Sequence, residues 1–538
     1  MIDGNPLLEV IDLSISFDTG GSLVRAVQNV SWSLREGQTL AILGESGSGK
    51  SVSTSAVLGL IQAPPARFES GQILYRGTDL LKISANERRA INGAKISMIF
   101  QDPLAALNPV YSVGWQIAET MRIHGMAHDE IDRRVVALLR RVGIADPESR
   151  RHDYPHQFSG GQRQRIMIAA AIAMQPDLLI ADEPTSALDV TVQAQILDLL
   201  KEIQAENRMG MVIITHDLSI VGRVADQIVV MQGGRVVEAG PVRQVLDSPH
   251  HAYTRKLLDA VPGRHGYAEP HRLTEGTKVP LVSARDVTRI YGKPSSGLRA
   301  VDRVSFDLVP GETLAIIGES GSGKSTLARM LLGLDRPTAG HIEIGGQDVT
   351  QMSRKQEFAL RRRMQFVFQD PTASLNPRMS VFQIVSEPWA IHRGVRPRSE
   401  WRAAAGELLE TVGLSADQLD RFPHEFSGGQ RQRIAIARAL ALKPDLIVCD
   451  EAVSALDASV RAQVMDLLRS LREQFGLSYI FIAHDLGLVL DFATSVMVMF
   501  KGQVVEHGPV DQVLRHPAHD YTKQLLAASM YEASATRA

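Results

Sequence analysis

The sequence predicts an α/β protein that contains two copies of one domain. An octapeptide of the pattern G-x-x-x-x-G-K-S occurs twice in the 538 residues, at positions 44–51 and 318–325. Short apolar runs alternate with amphipathic helical patterns in both halves, as in α/β architecture. The same polar motifs follow each octapeptide in the same order, so the chain is a tandem duplication of large domains and not an array of short repeats.

Composition favours a globular protein with ordinary cores. Hydrophobic residues make up 44% of the chain and charged residues 22%, and the formal net charge is −2. The charge shows no basic excess of the kind that nucleic-acid-binding proteins carry. No apolar run approaches the ~18 residues needed to cross a bilayer, and the first residues lack a signal-peptide pattern, so we expect a cytoplasmic chain. Cys449 is the single cysteine, which excludes an intramolecular disulfide.

Each octapeptide predicts a phosphate-binding loop, because an apolar strand-like run (39–43 and 313–317) precedes it and a helical pattern follows. Its glycines allow backbone N–H groups and a helix N-terminus to point at an anion. The lysine is predicted to reach the terminal phosphates, and the last serine to offer its hydroxyl to Mg²⁺. The candidate loop residues are Gly44, Glu45, Ser46, Gly47, Ser48, Gly49, Lys50 and Ser51, with Gly318, Glu319, Ser320, Gly321, Ser322, Gly323, Lys324 and Ser325 in the second half.

Adjacent carboxylates end a second apolar run in each half, at Asp182-Glu183 and Asp450-Glu451. Successive side chains of a strand point to opposite faces, so the two acids of each pair are predicted to have different roles. We expect Asp182 and Asp450 to support Mg²⁺ near the phosphates. The glutamates are then the candidate catalytic residues, which polarise an attacking water.

The repeat also predicts the domain boundaries. One constant offset carries Gln101 to Gln369, and the same offset relates the later motifs. Extra residues in the first half lie around positions 63–66, where the prolines predict a surface loop. A polar stretch with glycine and proline predicts a linker at 263–280, between a first domain at 1–262 and a second at 281–538.

A further motif resembles a known family. The sequences Phe158-Ser159-Gly160-Gly161-Gln162 and Phe426-Ser427-Gly428-Gly429-Gln430 resemble the signature loop of ATP-binding cassette (ABC) proteins. The resemblance implies two tandem P-loop domains, each with a RecA-like α/β core, an antiparallel β subdomain and a helical subdomain. It also implies ATP and Mg²⁺ as cofactors, and a head-to-tail pairing in which each ATP lies between one phosphate loop and the other half's signature loop.

The resemblance adds a glutamine and a histidine from each half. Gln101 and Gln369 resemble the glutamine that senses Mg²⁺ and the attacking water. His216 and His484 resemble the switch histidines that contact the γ-phosphate, and they join the glutamates as catalytic candidates. Both halves keep these residues, so we expect two hydrolytic sites, although Ala452 stands where the first half has Pro184.

Two more pairs are implied by the same resemblance. Asp189 and Asp457 match the loop that crosses between the halves. Phe17 and Tyr291 fit the aromatic residue that stacks on adenine.

A finer resemblance is to the ATPase subunits of bacterial oligopeptide and dipeptide importers. It is carried by Leu-Asn-Pro after each Gln-Asp-Pro motif and by the tails 248–254 and 516–522, which both end in Tyr-Thr. It implies a motor at the cytoplasmic face of the inner membrane. The implied partners are two transmembrane permease subunits and, acting through them, an extracytoplasmic solute-binding protein, with no nucleic acid. Some relatives carry a cysteine-ligated iron–sulfur cluster in this tail, and with one cysteine none is expected here.

The alternatives are other proteins with two cassettes. A soluble translation factor carries a long charged helical linker, which the stretch after Pro262 does not resemble. An excision-repair ATPase needs zinc-binding cysteines. An exporter ATPase is the nearest alternative, and the paired Tyr-Thr tails argue against it.

Overall fold

The structure is a computed structural model that describes residues 6–186, 188–259, 279–292, 297–454 and 456–529. The chain divides into two compact units, Met1–Leu188 with Val192–Asp259, and Asp189–Thr191 with Ala260–Ala538. We call them the first and the second domain. Most of the predicted linker at 263–280 and the boundary at 262 lie outside the described residues, so the domain boundaries stay predictions.

The first domain contains two sheets and their covering helices. Its strands are β1 (Leu8–Asp18), β2 (Leu23–Leu34), β3 (Thr39–Leu43), β4 (Ala66–Tyr75), β5 (Thr78–Asp79), β6 (Ile96–Ile99), β7 (Leu178–Asp182), β8 (Gly210–Thr215), β9 (Gln227–Gln232) and β10 (Arg235–Pro241). Its α-helices are α1 (Lys50–Leu58), α2 (Ala85–Ile91), α3 (Pro103–Ala106), α4 (Val113–Ile123), α5 (His128–Arg141), α6 (Pro147–Arg150), α7 (Gly160–Ala171), α8 (Val190–Asn207), α9 (Leu218–Val224), α10 (Val242–Asp247) and α11 (Ala252–Asp259).

The second domain repeats this order. Its strands are β11 (Val282–Tyr291), β12 (Leu298–Leu308), β13 (Thr313–Ile317), β14 (Ala339–Ile344), β15 (Gln347–Asp348), β16 (Met364–Val367), β17 (Leu446–Asp450), β18 (Ser478–Ile482), β19 (Ser495–Phe500) and β20 (Gln503–Pro509). Its α-helices are α12 (Lys324–Leu331), α13 (Arg354–Leu360), α14 (Pro371–Ser374), α15 (Val381–Ile391), α16 (Trp401–Thr411), α17 (Gly428–Leu440), α18 (Ala458–Phe475), α19 (Leu486–Phe492), α20 (Val510–Arg515) and α21 (Asp520–Ala528).

The larger sheet of each domain brings the predicted motifs to one edge. In the first domain its strand order is β10-β9-β3-β8-β7-β6, and β6, β7, β8, β3 and β9 run parallel. All residues of β3, β7 and β8 are buried, as expected for apolar strands covered on both faces. The second domain has the equivalent order β16-β17-β18-β13-β19-β20. Loops after these parallel strands therefore meet at the carboxyl edge of the sheet.

The smaller sheet is antiparallel, in the order β2-β1-β4-β5 and, in the second domain, β12-β11-β14-β15. It shares a hydrophobic core with one face of the larger sheet, as Leu13 and Ile73 pack in one cluster with Ile180. In the second domain, α15–α18 enclose another core with the opposite face of the larger sheet. The α/β fold class, with its antiparallel and helical parts, is confirmed.

One prediction about the first domain was wrong in part: residues 63–65 form an exposed turn, as expected, but the residues that follow do not. The extra residues after position 63 do not all form a surface loop, because β4 begins at Ala66 and pairs with β1 from Phe17↔Ala66 onward. The equivalent β14 begins only at Ala339 and is shorter. The insertion therefore lengthens a strand at its exposed end.

Candidate active sites

Each phosphate loop connects a buried strand to a helix whose first residue is the predicted lysine. Gly49 caps α1 in the left-handed region at φ 95°, and a Cβ there would lie 2.4 Å from the carbonyl oxygen of Ala26. Gly323 has φ 106° and the same conflict with Ala300, at 2.2 Å. A side chain fits neither position, so the pattern's last glycine is required by the backbone path.

The loop lysines are buried and held over their own loops. Lys50 Nζ donates to the carbonyl oxygens of Gly44 at 2.6 Å and Glu45 at 2.8 Å. Lys324 Nζ donates to those of Gly318 at 2.7 Å and Glu319 at 2.8 Å, and burial lowers its pKa. The loop's own carbonyl oxygens therefore hold each ammonium beside the backbone that is predicted to bind an anion.

The predicted glutamates stand directly after the strands that end in aspartate. Glu183 has φ 45° and Glu451 φ 50°, in a region that non-glycine residues rarely adopt. Their backbone N–H groups donate to the neighbouring strand, to Ile214 at 2.9 Å and Ile482 at 3.1 Å. Backbone strain of this kind is typical of functional sites.

Three predicted residues meet in the first domain. Gln101 Nε2 donates to Glu183 Oε2 at 2.7 Å, and His216 Nδ1 lies 3.0 Å from Oε1 of the same carboxylate. Burial raises the pKa of Glu183, but His216, Lys50 and Gln101 outweigh it, and the pKa lies below its ordinary value. The carboxylate is therefore ionised at neutral pH and available to accept a proton.

The second domain forms the same contact with one change. Gln369 Nε2 donates to Glu451 Oε2 at 2.6 Å. Here the histidine uses its other ring nitrogen, since His484 Nε2 contacts Glu451 Oε1. Both glutamates thus have one oxygen bonded to an amide and the other to an imidazole.

The aspartates that end β7 and β17 have the donor set of a Mg²⁺ site. Asp182 bonds the hydroxyl of Ser51, and Asp450 that of Ser325. Burial raises the pKa of both aspartates, so each gains from a cation nearby. One carboxylate and one hydroxyl per domain suit Mg²⁺, which keeps substrate and water oxygens among its ligands. Within the described residues no group of three or more His, Cys, Asp or Glu side chains is suited to a metal ion.

The predicted signature-loop residues lie at the starts of two helices. Ser159 and Ser427 cap α7 and α17, accepting from the N–H groups of Gln162 and Gln430 at 3.3 Å, and each glutamine side chain accepts in return. Gly160, Gly161, Gly428 and Gly429 form the first turns of these helices.

Asp189 and Asp457 directly precede α8 and α18. Phe17 lies in β1 and packs against the core, whereas Tyr291 is 40% exposed and its hydroxyl lies 3.2 Å from Asp335. Their roles toward a nucleotide stay predictions.

Sequence reasoning missed one partner of each phosphate loop. The hydroxyl of Tyr253 accepts from the backbone N–H of Glu45 at 3.0 Å, and that of Tyr521 from Glu319 at 3.0 Å. The signal in the sequence was the recurrence of Tyr-Thr at the same place in both tails.

Comparison with known proteins identifies the family. The model of the ABC transporter family matches residues 27–186 and 301–454, more than half of the chain. This chain belongs to the ABC transporter family. It is accordingly an ABC-type ATPase with two cassettes, and ATP is its nucleotide.

Other matches extend over the remaining parts of this ABC ATPase. The family described as oligopeptide/dipeptide transporter, C-terminal region, matches residues 237–285 and 505–537. The peptidoglycan transport ATP-binding protein YejF of Agrobacterium fabrum is 47% identical over 99% of this chain and 98% of that protein. The glutathione import ATP-binding protein GsiA of Salmonella typhimurium is 45% identical over 98% of this chain and 90% of that protein. Across the described ranges, none of the helices has the length and apolar character of a membrane span.

Proposed function

We propose that this ABC ATPase hydrolyses ATP to drive the import of peptides or peptide-like solutes across a bacterial inner membrane. The observation that carries the proposal is the oligopeptide/dipeptide C-terminal region, which follows each of the two cassettes. Full-length similarity to proteins named for peptidoglycan transport and glutathione import supports the same class of solute. The alternatives of a translation factor and an exporter are not favoured by these matches.

The clusters around Glu183 and Glu451 suggest how each cassette hydrolyses ATP. In the first, the ionised Glu183 accepts a proton from the attacking water, while Gln101 and His216 hold its two oxygens in place. Lys50 and the amides of the phosphate loop balance the charge that develops on the phosphates.

Mg²⁺, when bound, neutralises part of the phosphate charge, and Ser51 with Asp182, or Ser325 with Asp450, are its proposed protein ligands. We propose that Gln101 and Gln369 sense whether the ion is bound.

We further propose that the chain works at the cytoplasmic face of the inner membrane, held there by two transmembrane permease subunits. A solute-binding protein outside the cytoplasm selects the solute and delivers it to the permease. ATP-driven closure of the cassettes then moves the permease, and hydrolysis resets it.

The test is to isolate the chain from gently solubilised native membranes and to identify what copurifies by mass spectrometry. Two multi-spanning permease subunits and a solute-binding protein are expected. A chain carrying both Glu183→Gln and Glu451→Gln serves as the matched control and should retain the permease while trapping ATP. Ribosomal proteins in place of the permease would overturn the transport proposal, and undiminished hydrolysis by the double variant would overturn the assignment of the glutamates.

A further inference from the structure

The C-terminal tail of each domain returns to the phosphate loop of the same domain. Helices α11 and α21 each carry a tyrosine in their first turn, Tyr253 and Tyr521. Both rings are buried, with 5% and 6% of their surface exposed, and both hydroxyls reach the second residue of the octapeptide. The contact occurs in both domains with the same 3.0 Å distance. It is therefore a feature of the repeated domain, not a contact of one local environment.

A glutamate holds the start of each tail in place. Glu238, on β10, accepts from the backbone N–H groups of His250 at 2.8 Å and His251 at 3.1 Å. Glu506, on β20, accepts from those of residues 518 and 519 at 2.8 and 3.1 Å. The tail is therefore fixed to the sheet just before the helix that carries the tyrosine. A phenol positioned in this way loses little conformational freedom when it bonds the loop.

The bonded amide lies at the entry of the anion cradle. Glu45 follows Gly44, whose carbonyl oxygen, like that of Glu45, accepts from Lys50. The tyrosine thus fixes the same peptide segment that orients the loop lysine. A loop whose entry is already fixed has less entropy to lose when a polyphosphate binds.

We propose that Tyr253 and Tyr521 are positioning residues that hold the phosphate loops ready for the nucleotide and couple nucleotide binding to docking of the C-terminal tails. This inference deepens the proposed function and rests on it for the identity of the ligand. Coupling is reciprocal, so a bound nucleotide must in turn stabilise α11 and α21 against opening.

The test uses the full chain with Tyr253→Phe and Tyr521→Phe, singly and together. Each change removes one hydroxyl and keeps the ring. We expect the dissociation constant of a fluorescent ATP analogue to rise about threefold to tenfold at the affected loop, the range of one net hydrogen bond. Hydrogen exchange, read by mass spectrometry, should become faster in residues 44–51 for the first variant and in residues 318–325 for the second.

Matched controls separate positioning from a general loss of stability. Tyr75→Phe removes a hydroxyl that donates to Asp177 at 2.7 Å, and Tyr479→Phe one that donates to Leu468 at 3.2 Å. Both hydroxyls belong to buried rings away from the loops, so these variants should lower the melting temperature without changing nucleotide affinity or loop exchange.

The outcomes distinguish the inference from the proposed function. Unchanged affinity and loop exchange in both tail variants would overturn the inference, whatever their stability. If the unsubstituted chain bound no nucleotide, the proposed function would fail, and exchange of the free loops would still decide whether the tyrosines hold them. Glu238→Gln and Glu506→Gln form a second pair, which loosens the tail without touching the tyrosine and should shift loop exchange in the same direction.

Discussion

Next to Glu183 in the sequence, the first domain has a hydrogen bond that has no counterpart among the described residues of the second. Gln164 Nε2 on α7 donates to the carbonyl oxygen of Pro184 at 2.6 Å. Gln432, at the same place on α17, is fully buried, and neither polar atom of its side chain has a partner among the described residues. Ala452 replaces Pro184 there. The equivalent buried glutamine is therefore hydrogen-bonded differently in the two domains, beside a position where their sequences differ.

The two domains also differ in which ring nitrogen of the histidine contacts the glutamate. His216 presents Nδ1 to Glu183, whereas His484 presents Nε2 to Glu451. Both nitrogens donate to a carboxylate, but Nδ1 lies nearer to its own backbone than Nε2, so each glutamate meets a different edge of the imidazole ring. The two sites contain the same residue types but differ in the hydrogen bonds that hold them. The same substitution made at equivalent positions of both domains therefore compares the sites.

The largest expected effect comes from the glutamates themselves. Glu183→Gln and Glu451→Gln should each lower turnover at their own site by about 10²- to 10⁴-fold, because the general base is lost. Steady-state ATP hydrolysis by each single variant measures how much of the total hydrolysis the other site performs. Glu69→Gln, on the exposed part of β4, is the control. If one single variant hydrolysed ATP like the unsubstituted chain, the corresponding site would not be hydrolytic.

The histidines should respond differently to asparagine and glutamine. The amide nitrogen of asparagine overlaps Nδ1 of histidine, and that of glutamine overlaps Nε2. His216→Asn should therefore keep about tenfold more activity than His216→Gln, with the reverse order at His484, given the strength of a hydrogen bond to a charged group. Each variant is measured in a chain in which the glutamate of the other domain, Glu451 or Glu183, is replaced. The same order at both positions would show that the ring nitrogens are not used differently.

The buried glutamines should differ in their effect on stability. Gln164→Leu should destabilise the first domain by about 1–3 kcal/mol, because the carbonyl of Pro184 loses its donor. Gln432→Leu should be neutral or stabilising in the second domain, since it removes polar atoms that lack described partners. Hydrogen exchange of each domain in the full chain measures both. Equal destabilisation by the two variants would contradict the comparison.

The smallest effect concerns Asp182 and Asp450, the aspartates that end β7 and β17. Burial raises their folded pKa above the unfolded value, so the stability they contribute is present at low pH and is lost as the pH rises through the folded pKa. Asp182→Asn and Asp450→Asn should therefore stabilise the nucleotide-free chain at neutral pH. The gain should shrink in acid.

Thermal unfolding between neutral and acidic pH checks this, with the exposed Asp247→Asn as control. A variant less stable than the unsubstituted chain at neutral pH would mean that the ionised aspartate does not destabilise the folded chain.

Much of the site was readable from the sequence because its residues follow strand ends. Lys50, Gln101, Glu183 and His216 belong to four separate motifs, yet each comes just after a buried apolar run. Parallel strands place their carboxyl ends at one edge, so the motifs had to converge there. The strand at 66–70 could not be predicted, since two prolines directly precede it and its own residues are mostly polar, and pairing with β1 overrode that local preference.

The sequence alone determined the duplication, the α/β class, the phosphate loops and the edge at which the glutamates, glutamines and histidines gather, because these depend on local pattern and strand direction. Only the tertiary structure decided which ring nitrogen meets each glutamate, whether the amide of Gln164 or Gln432 finds an acceptor, and that Tyr253 bonds Glu45. The last two residues lie 208 positions apart. Contacts of this kind depend on how side chains pack after the elements have come together, and no local pattern encodes them.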